Sequence, residues 1–254
     1  MSVIVIKYGG SLLEEPGHRS AFLKDVAALS IKQKLVLVHG GGKEISRQME
    51  ASGITPKFVG GRRFTDEAVL AVVQKALAGL NKEIVAELGR LGANAKGGSG
   101  LDHHLLEAEP VAELGRVGLP RQVNMNAIHG LLEDGILPVL YSIGEDAKHD
   151  PLNINADDFA QALAVACRAD RLVFLTDTGG VLDGAGKLIA RIVPQDVETL
   201  TQKKVIAGGM VVKAKACVDA LKDGVGSVDI VKGIKYLLEP GKEKPQGTVF
   251  SLAR

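Results

Sequence analysis

The chain is predicted to be an α/β protein, a three-layer α/β/α sandwich around a mainly parallel central sheet. Two features of the sequence predict this. Short β-branched runs alternate with longer segments of helical period, and several runs are apolar at nearly every position, as strands buried on both faces are. With 254 residues, 46% of them hydrophobic, the chain is long enough to bury such a core.

The first strand is expected at residues 3–6, a Val-Ile-Val-Ile run far shorter than a signal peptide's apolar core or a membrane span. A helical period follows over 18–32, then a strand at 34–38 and a helix at 43–51. Two further helices are expected at 65–77 and 81–91, the first capped by Thr65, with Asp66 and Glu67 placing negative charge at its amino end. A helix over 124–134 ends at Gly135, and a strand occupies 137–142. The remaining pattern gives a helix at 156–166, strands at 171–175, 227–231 and 248–251, and a helix at 212–222. The best internal boundary falls at 168–171, dividing the chain into 1–170 and 171–254, without a flexible linker.

Composition excludes several function classes. There are 31 basic and 30 acidic residues, with no long run of one sign, so no nucleic-acid footprint is expected. Cys167 and Cys217 stand fifty positions apart, which suits packed thiols in a reducing cytosol and neither a disulfide framework nor a zinc site. No window approaches the roughly 20 apolar residues of a spanning helix, and a cytoplasmic protein is expected.

Five motifs carry chemistry. Lys7-Tyr8-Gly9-Gly10-Ser11 follows the first strand, where glycines let the backbone approach an anion and Lys7 adds a positive charge; a tight turn with a solvated lysine has the same pattern. The second strand ends in His39-Gly40-Gly41-Gly42-Lys43, a second anion cradle at a helix amino end, with His39 read as a packed, hydrogen-bonded imidazole. Gly60-Gly61-Arg62-Arg63 offers guanidinium groups suited to gripping a carboxylate, or an exposed turn. Asn153-Ile154-Asn155-Ala156-Asp157 leads into an apolar helix, where Asp157 is either functional or a first-turn acid, and Gly208-Gly209-Met210-Val211-Val212-Lys213 opens another. No P-loop or protein-kinase signature occurs.

In order and spacing, these elements resemble the amino acid kinase family: K-x-G-G-S, H-G-G-G, G-x-R-x-T-D, N-x-N-A-D and G-G-M-x-x-K. The stretches 137–144 and 175–182 are similar to those of its acetylglutamate kinase branch. The resemblance covers residues 3 to 250 and implies the family's fold and its reaction, transfer of the ATP γ-phosphoryl group, with Mg²⁺, to the γ-carboxylate of N-acetyl-L-glutamate in arginine biosynthesis. It assigns Lys7 and Lys213 to the transferring phosphoryl group and Asp157 to their orientation. Gly9, Gly10, Ser11, Gly40 and Gly41 would meet phosphoryl oxygens and the reacting carboxylate, while Arg63 and Asn153 would hold the amino-acid substrate. Thr176, Asp177, Gly209 and Met210 match the nucleotide-binding stretch. The first lobe would then bind the amino acid and dimerise, and the second would bind ATP. Because the first strand begins at Val3, a homodimer without arginine control is expected rather than a ring joined by an extra amino-terminal helix.

One stretch departs from the family pattern. Where acetylglutamate kinases commonly read G-L-S-G-K-D-G, this chain has Gly97-Gly98-Ser99-Gly100-Leu101-Asp102-His103-His104, read as a surface loop and not as a metal site, since its adjacent histidines lack a third ligand in the sequence. Two other readings stay open: a kinase for a carrier-protein-linked glutamate or aminoadipate, and a non-catalytic nucleotide or amino-acid sensor of the same fold.

Overall fold

The computed structural model describes residues 2–9, 13, 15–207, 209–239, 241 and 245–253. Its main sheet has eight strands. In chain order, the elements of its first half are β1 (Val3–Tyr8), α1 (Pro16–Ser30), β2 (Lys34–His39), α2 (Gly42–Ala51), β3 (Phe58–Val59), β4 (Arg62–Arg63), α3 (Glu67–Arg90), β5 (Ala95–Ser99), β6 (Leu106–Pro110) and β7 (Val117–Val123). The chain continues through α4 (Asn126–Glu133), β8 (Leu137–Tyr141), β9 (Ile143–Glu145), β10 (Pro151–Ile154), α5 (Ala156–Ala166), β11 (Arg171–Leu175), β12 (Arg191–Ile192), α6 (Pro194–Gln202), α7 (Gly209–Lys222), β13 (Val228–Val231), α8 (Lys235–Leu238) and β14 (Gly247–Phe250).

The sheet order is β12-β14-β13-β11-β1-β2-β8-β5, and every neighbouring pair is parallel except β13 and β14. Both faces are buried, as the apolar strand runs require. Val3 and Val5 of β1 pack with α5 and α7 residues such as Phe159, Leu163 and Ala214, whereas Ile4, Ile6 and Tyr8 pack with Leu23, Val26 and Ile84 of α1 and α3. This alternation is the strand's period of two expressed as three layers.

A smaller sheet of β10, β7, β6 and β9 closes on itself beside the main one. The third unit is the hairpin β3–β4. Its loop residues Gly60 and Gly61 both have positive φ, 55° and 80°, which glycine adopts without a Cβ penalty, so the turn presents Arg62 and Arg63 on its return strand.

The structure departs from the sequence reading at several elements, and β9, β10, β12, α6 and α8 are additions to it. Residues 65–77 and 81–91 are parts of one 24-residue helix, α3, which runs through Gly79 because its apolar face stays against the sheet. Thr65 is not its cap. Asp66 is, its carboxylate accepting from Val69 N at 2.8 Å, while the buried Thr65 hydroxyl donates to Arg63 O at 2.9 Å. The strands between residues 95 and 123 have no counterpart in the pattern, because β5 is an edge strand of sequence Ala-Lys-Gly-Gly-Ser with almost no β-branched or apolar signal.

Candidate active site

In a parallel sheet all carboxyl ends face one edge, and ligands gather where successive connections leave in opposite directions. Here that point is β1. The chain goes from β1 to β2 on one side, and α5 brings it back to β11 on the other. Lys7 and Gly9, at the carboxyl end of β1, therefore stand in the crevice between the two halves of the sheet.

Asp157 reaches this crevice because of its helix's first residues. Asn155 has extended backbone angles and caps α5, its Oδ1 accepting from Asp157 N at 2.8 Å and Asp158 N at 3.4 Å. The cap fixes Asp157 in the first turn. Its Oδ2 then accepts a hydrogen bond from Lys213 Nζ of α7 at 2.9 Å, and Lys7 Nζ lies 2.9 Å from its Oδ1. Burial opposes the carboxylate's charge, but the Lys7 and Lys213 ammonium groups outweigh it and bring the pKa down from 3.8 to about 2. Two positive charges thus share one negative charge, leaving a net positive centre that suits an anion. Lys213 also sits 5.3 Å from the Phe174 ring centroid.

The glycine cradle surrounds these lysines. A Cβ on Gly9 would fall 2.8 Å from Lys7 Nζ, and one on Gly41 would fall 2.9 Å from Leu77 Cδ2, so a side chain at Gly9 would displace the lysine from its place beside Asp157 and one at Gly41 would press on Leu77. Gly40 N–H donates to the Tyr8 carbonyl at 3.2 Å. The donors facing an incoming anion are consequently those of Gly41 and Gly42, at the amino end of α2. Gly10, Ser11 and Gly208 lie outside the described residues.

His39 is fully buried and sets the aim of this loop. One ring nitrogen, Nδ1, is 2.9 Å from Gly40 O, and the other, Nε2, is 3.0 Å from Asn81 Nδ2, which also donates to Val139 O at 2.8 Å. Burial lowers the imidazole pKa to about 4, so the ring is neutral, with an Nδ1–H for Gly40 and a lone pair for Asn81. Holding the Gly40 carbonyl orients the Gly40–Gly41 peptide and hence the Gly41 N–H. Asn81 has no sequence signal: an amide within a long helix looks like any polar helix residue.

The arginine pair divides its roles. Arg62 is tied to Asp158 at 2.6 Å. Arg63 is 8% exposed and has no carboxylate partner among the described residues. Its guanidinium instead donates to Gly42 O and Ser46 Oγ, both at 2.9 Å, lies 3.1 Å from Met49 Sδ, and sits 4.8 Å from the Phe58 ring centroid. Such a charge, held in place without a carboxylate partner, suits an anion.

A cavity of about 230 Å³ joins these groups, with Lys7, Gly9, Arg63, Ser142, Asn153 and Asp157 in its wall. Asn153, on β10, is oriented by its donation to Thr65 Oγ1 at 3.0 Å. Gly40 and Gly41 line the same cavity, whereas Thr176, Asp177 and Met210 are not part of its wall; Gly209 opens α7 immediately before Met210. Those four follow β11 or open α7, and Thr176 Oγ1 accepts from Gly179 N at 3.1 Å. A larger cavity of about 500 Å³ lies among α1, α2 and α3, but its charged side chains pair with one another, Arg19 with Glu83 and Arg47 with Glu44.

Known proteins are similar to this chain in sequence and in fold. The family model of the amino acid kinase family matches residues 2–232. An acetylglutamate kinase of Endomicrobium trichonymphae is 41% identical over 247 residues, 97% of each chain, and one from Clostridioides difficile is 38% identical over 91% of this chain and 83% of its own. Among solved structures, smu.665 of Streptococcus mutans superposes with a TM-score of 0.85 at 29% identity over 99% of both chains. Giardia carbamate kinase, at 15% identity and a TM-score of 0.71 over 99% of both chains, shares the fold. By sequence and fold, the chain belongs to the amino acid kinase family.

Proposed function

We propose that this chain is an acetylglutamate kinase, transferring the γ-phosphoryl group of ATP to the γ-carboxylate of N-acetyl-L-glutamate in arginine biosynthesis. The observation that carries the reading is the Lys7–Asp157–Lys213 bridge in a crevice that also holds the uncompensated Arg63. A carboxylate oxygen attacks the γ-phosphorus, the bond from that phosphorus to the β,γ-bridging oxygen breaks, and ADP leaves with the electron pair. The product is an acyl phosphate. The nucleophile is already ionised at neutral pH, so no general base is required, and catalysis consists of alignment and charge neutralisation.

In this reading Lys7 and Lys213 neutralise charge on the transferring group while Asp157 holds them apart and in place. The Gly9 and Gly41 segments receive phosphoryl oxygens, joined by Gly10 and Ser11. Arg63 and Asn153 hold the amino-acid substrate. Mg²⁺ enters with ATP as part of the substrate: Asp157 is ion-paired with two ammonium groups, and the positive crevice suits a phosphate chain. Residues 1–170 form the amino-acid-binding and dimerising lobe, and 171–254 the nucleotide lobe, with Thr176, Asp177, Gly209 and Met210 at the nucleotide. The protein is a cytoplasmic homodimer, which light scattering reads directly; a monomeric or hexameric mass contradicts it.

The test is ADP release with N-acetyl-L-glutamate, with the acyl phosphate trapped by hydroxylamine. Equal yields of ADP and hydroxamate are expected. No ADP above the substrate-free rate contradicts the activity, and turnover only with a carrier-protein-linked substrate moves the specificity to the related kinases.

A further inference from the structure

We propose that His104, Glu145 and His149 form a binding site for one divalent transition-metal ion of the zinc class, separate from the phosphoryl-transfer crevice. His104 ends the short helical turn Asp102–His104 between β5 and β6, Glu145 ends β9, and His149 lies in the turn from β9 to β10. His104 Nδ1 is 2.7 Å and His149 Nδ1 2.9 Å from the same Glu145 oxygen, and the two imidazole centroids are 4.5 Å apart. None of the three lines the substrate cavity.

Three features separate this cluster from a chance surface contact. First, Glu145 is buried, and among the described residues the side chains paired with its carboxylate are these two histidines, with no lysine or arginine. A buried carboxylate ordinarily takes a lysine or arginine; its register neighbour Glu107 has one, Arg121 at 3.2 Å. Second, His104 and His149 both occupy positive φ, 53° and 68°, the left-handed region that histidine enters more readily than most side chains, and from segments far apart in the chain both rings meet at one Glu145 oxygen. Third, both backbones are pinned. Asp146 Oδ1 accepts from Lys148 N and Asp150 N, at 2.8 and 3.0 Å, closing the turn that carries His149. Asp102 Oδ2 accepts from Ser99 N at 2.6 Å and anchors the turn that carries His104.

Two imidazoles and a carboxylate match the N/O donor set of zinc, with water completing a four-coordinate shell. Ligand atoms around such an ion stand about 3.3 Å apart, given bond lengths of roughly 2.0–2.2 Å. The present separations therefore need to open by about half an ångström, which exposed imidazoles can supply by rotation. Magnesium, which prefers oxygen ligands and retains its waters, is not the occupant. A bound ion would clip the β9–β10 turn to the segment before β6, stiffening the hairpin that carries Asn153.

The experiment titrates the metal-stripped full chain with Zn²⁺ by calorimetry, with metal analysis after dialysis, on wild type, His104→Ala, His149→Ala and the exposed control His129→Ala. The account expects one Zn²⁺ per chain with Kd below roughly 10 µM, at least about tenfold weaker binding in each site variant, and an unchanged control. Saturating Zn²⁺ should raise the Tm of wild type and control, but not of the site variants. Because both site histidines are exposed, these substitutions leave the fold intact, which circular dichroism verifies. Wild-type binding weaker than about 100 µM, or binding undiminished by either site substitution, overturns the proposal.

Discussion

Asp157 holds two cations with one carboxylate, and the groups around it show which single side chains the sequence can and cannot reveal. Lys7, Asp157 and Lys213 were legible because each sits in a motif with glycine or asparagine neighbours. Asn81 and Asn155 were not assigned, since a mid-helix amide has no pattern and a capping asparagine two positions before an aspartate of the same motif is hidden by it. Arg63 was legible only as half of a pair. Its distinction from Arg62 comes from the partner, Asp158, nearly a hundred positions away. Arg63→Ala is expected to weaken N-acetylglutamate by roughly tenfold to a hundredfold or more, about 1.5–3 kcal/mol, while ATP affinity stays nearly constant. Initial-rate kinetics in both substrates check this; a loss confined to ATP refutes the role. His39 gives a pH signature. Its folded pKa of about 4 lies below the unfolded value of 6.5, so between these pH values the unfolded chain binds the extra proton. Stability therefore falls as pH drops through that window, by at most about 1.4 kcal/mol per pH unit. Urea midpoints from pH 7 to 4.5 should show this slope in wild type and lose it in His39→Asn; an unchanged slope refutes it.

At the scale of elements, the buried parallel strands were legible because both of their faces are apolar, and α5 was found at its observed bounds because its apolar period runs uninterrupted over 156–166. The merged α3 and the small sheet were not. Gly79 interrupts the pattern of α3 without ending the helix, and the small sheet of β6, β7, β9 and β10 closes through the β6–β9 and β7–β10 pairings between segments far apart in the chain, which no local pattern encodes. The α5 cap yields a prediction of its own. Asn155→Ala removes the acceptor for Asp157 N and should cost about 1 kcal/mol of stability, with a range of roughly 0.5–2. Because the first turn also positions the acid between the lysines, kcat should fall by more than that stability loss explains, under conditions where the variant remains folded. Denaturant unfolding and steady-state rates on the same preparation decide it: a normal kcat with reduced stability makes Asn155 purely structural.

Across the whole molecule, the strand order puts the two halves of the chain on either side of β1, so Lys7 and Lys213 meet at one carboxylate although 205 positions lie between them in sequence. The fold class was readable from periodicity, but this meeting followed only from family resemblance, since no local pattern brings β1 and α7 together. The central claim is that the meeting neutralises charge in phosphoryl transfer. A unit charge about 4 Å from its partner contributes on the order of 4 kcal/mol at an effective dielectric near 20, before desolvation, and losing one well-placed donor typically lowers turnover by about 10²–10³. The most direct measurement is kcat and KM for Lys213→Ala at saturating ATP and N-acetylglutamate, alongside Asp157→Asn and the double variant. The account predicts a kcat about 10²–10³ lower with little change in KM, and a double variant that loses less than the product of the single losses. Near wild-type turnover in Lys213→Ala contradicts the mechanism, and full additivity contradicts the shared bridge.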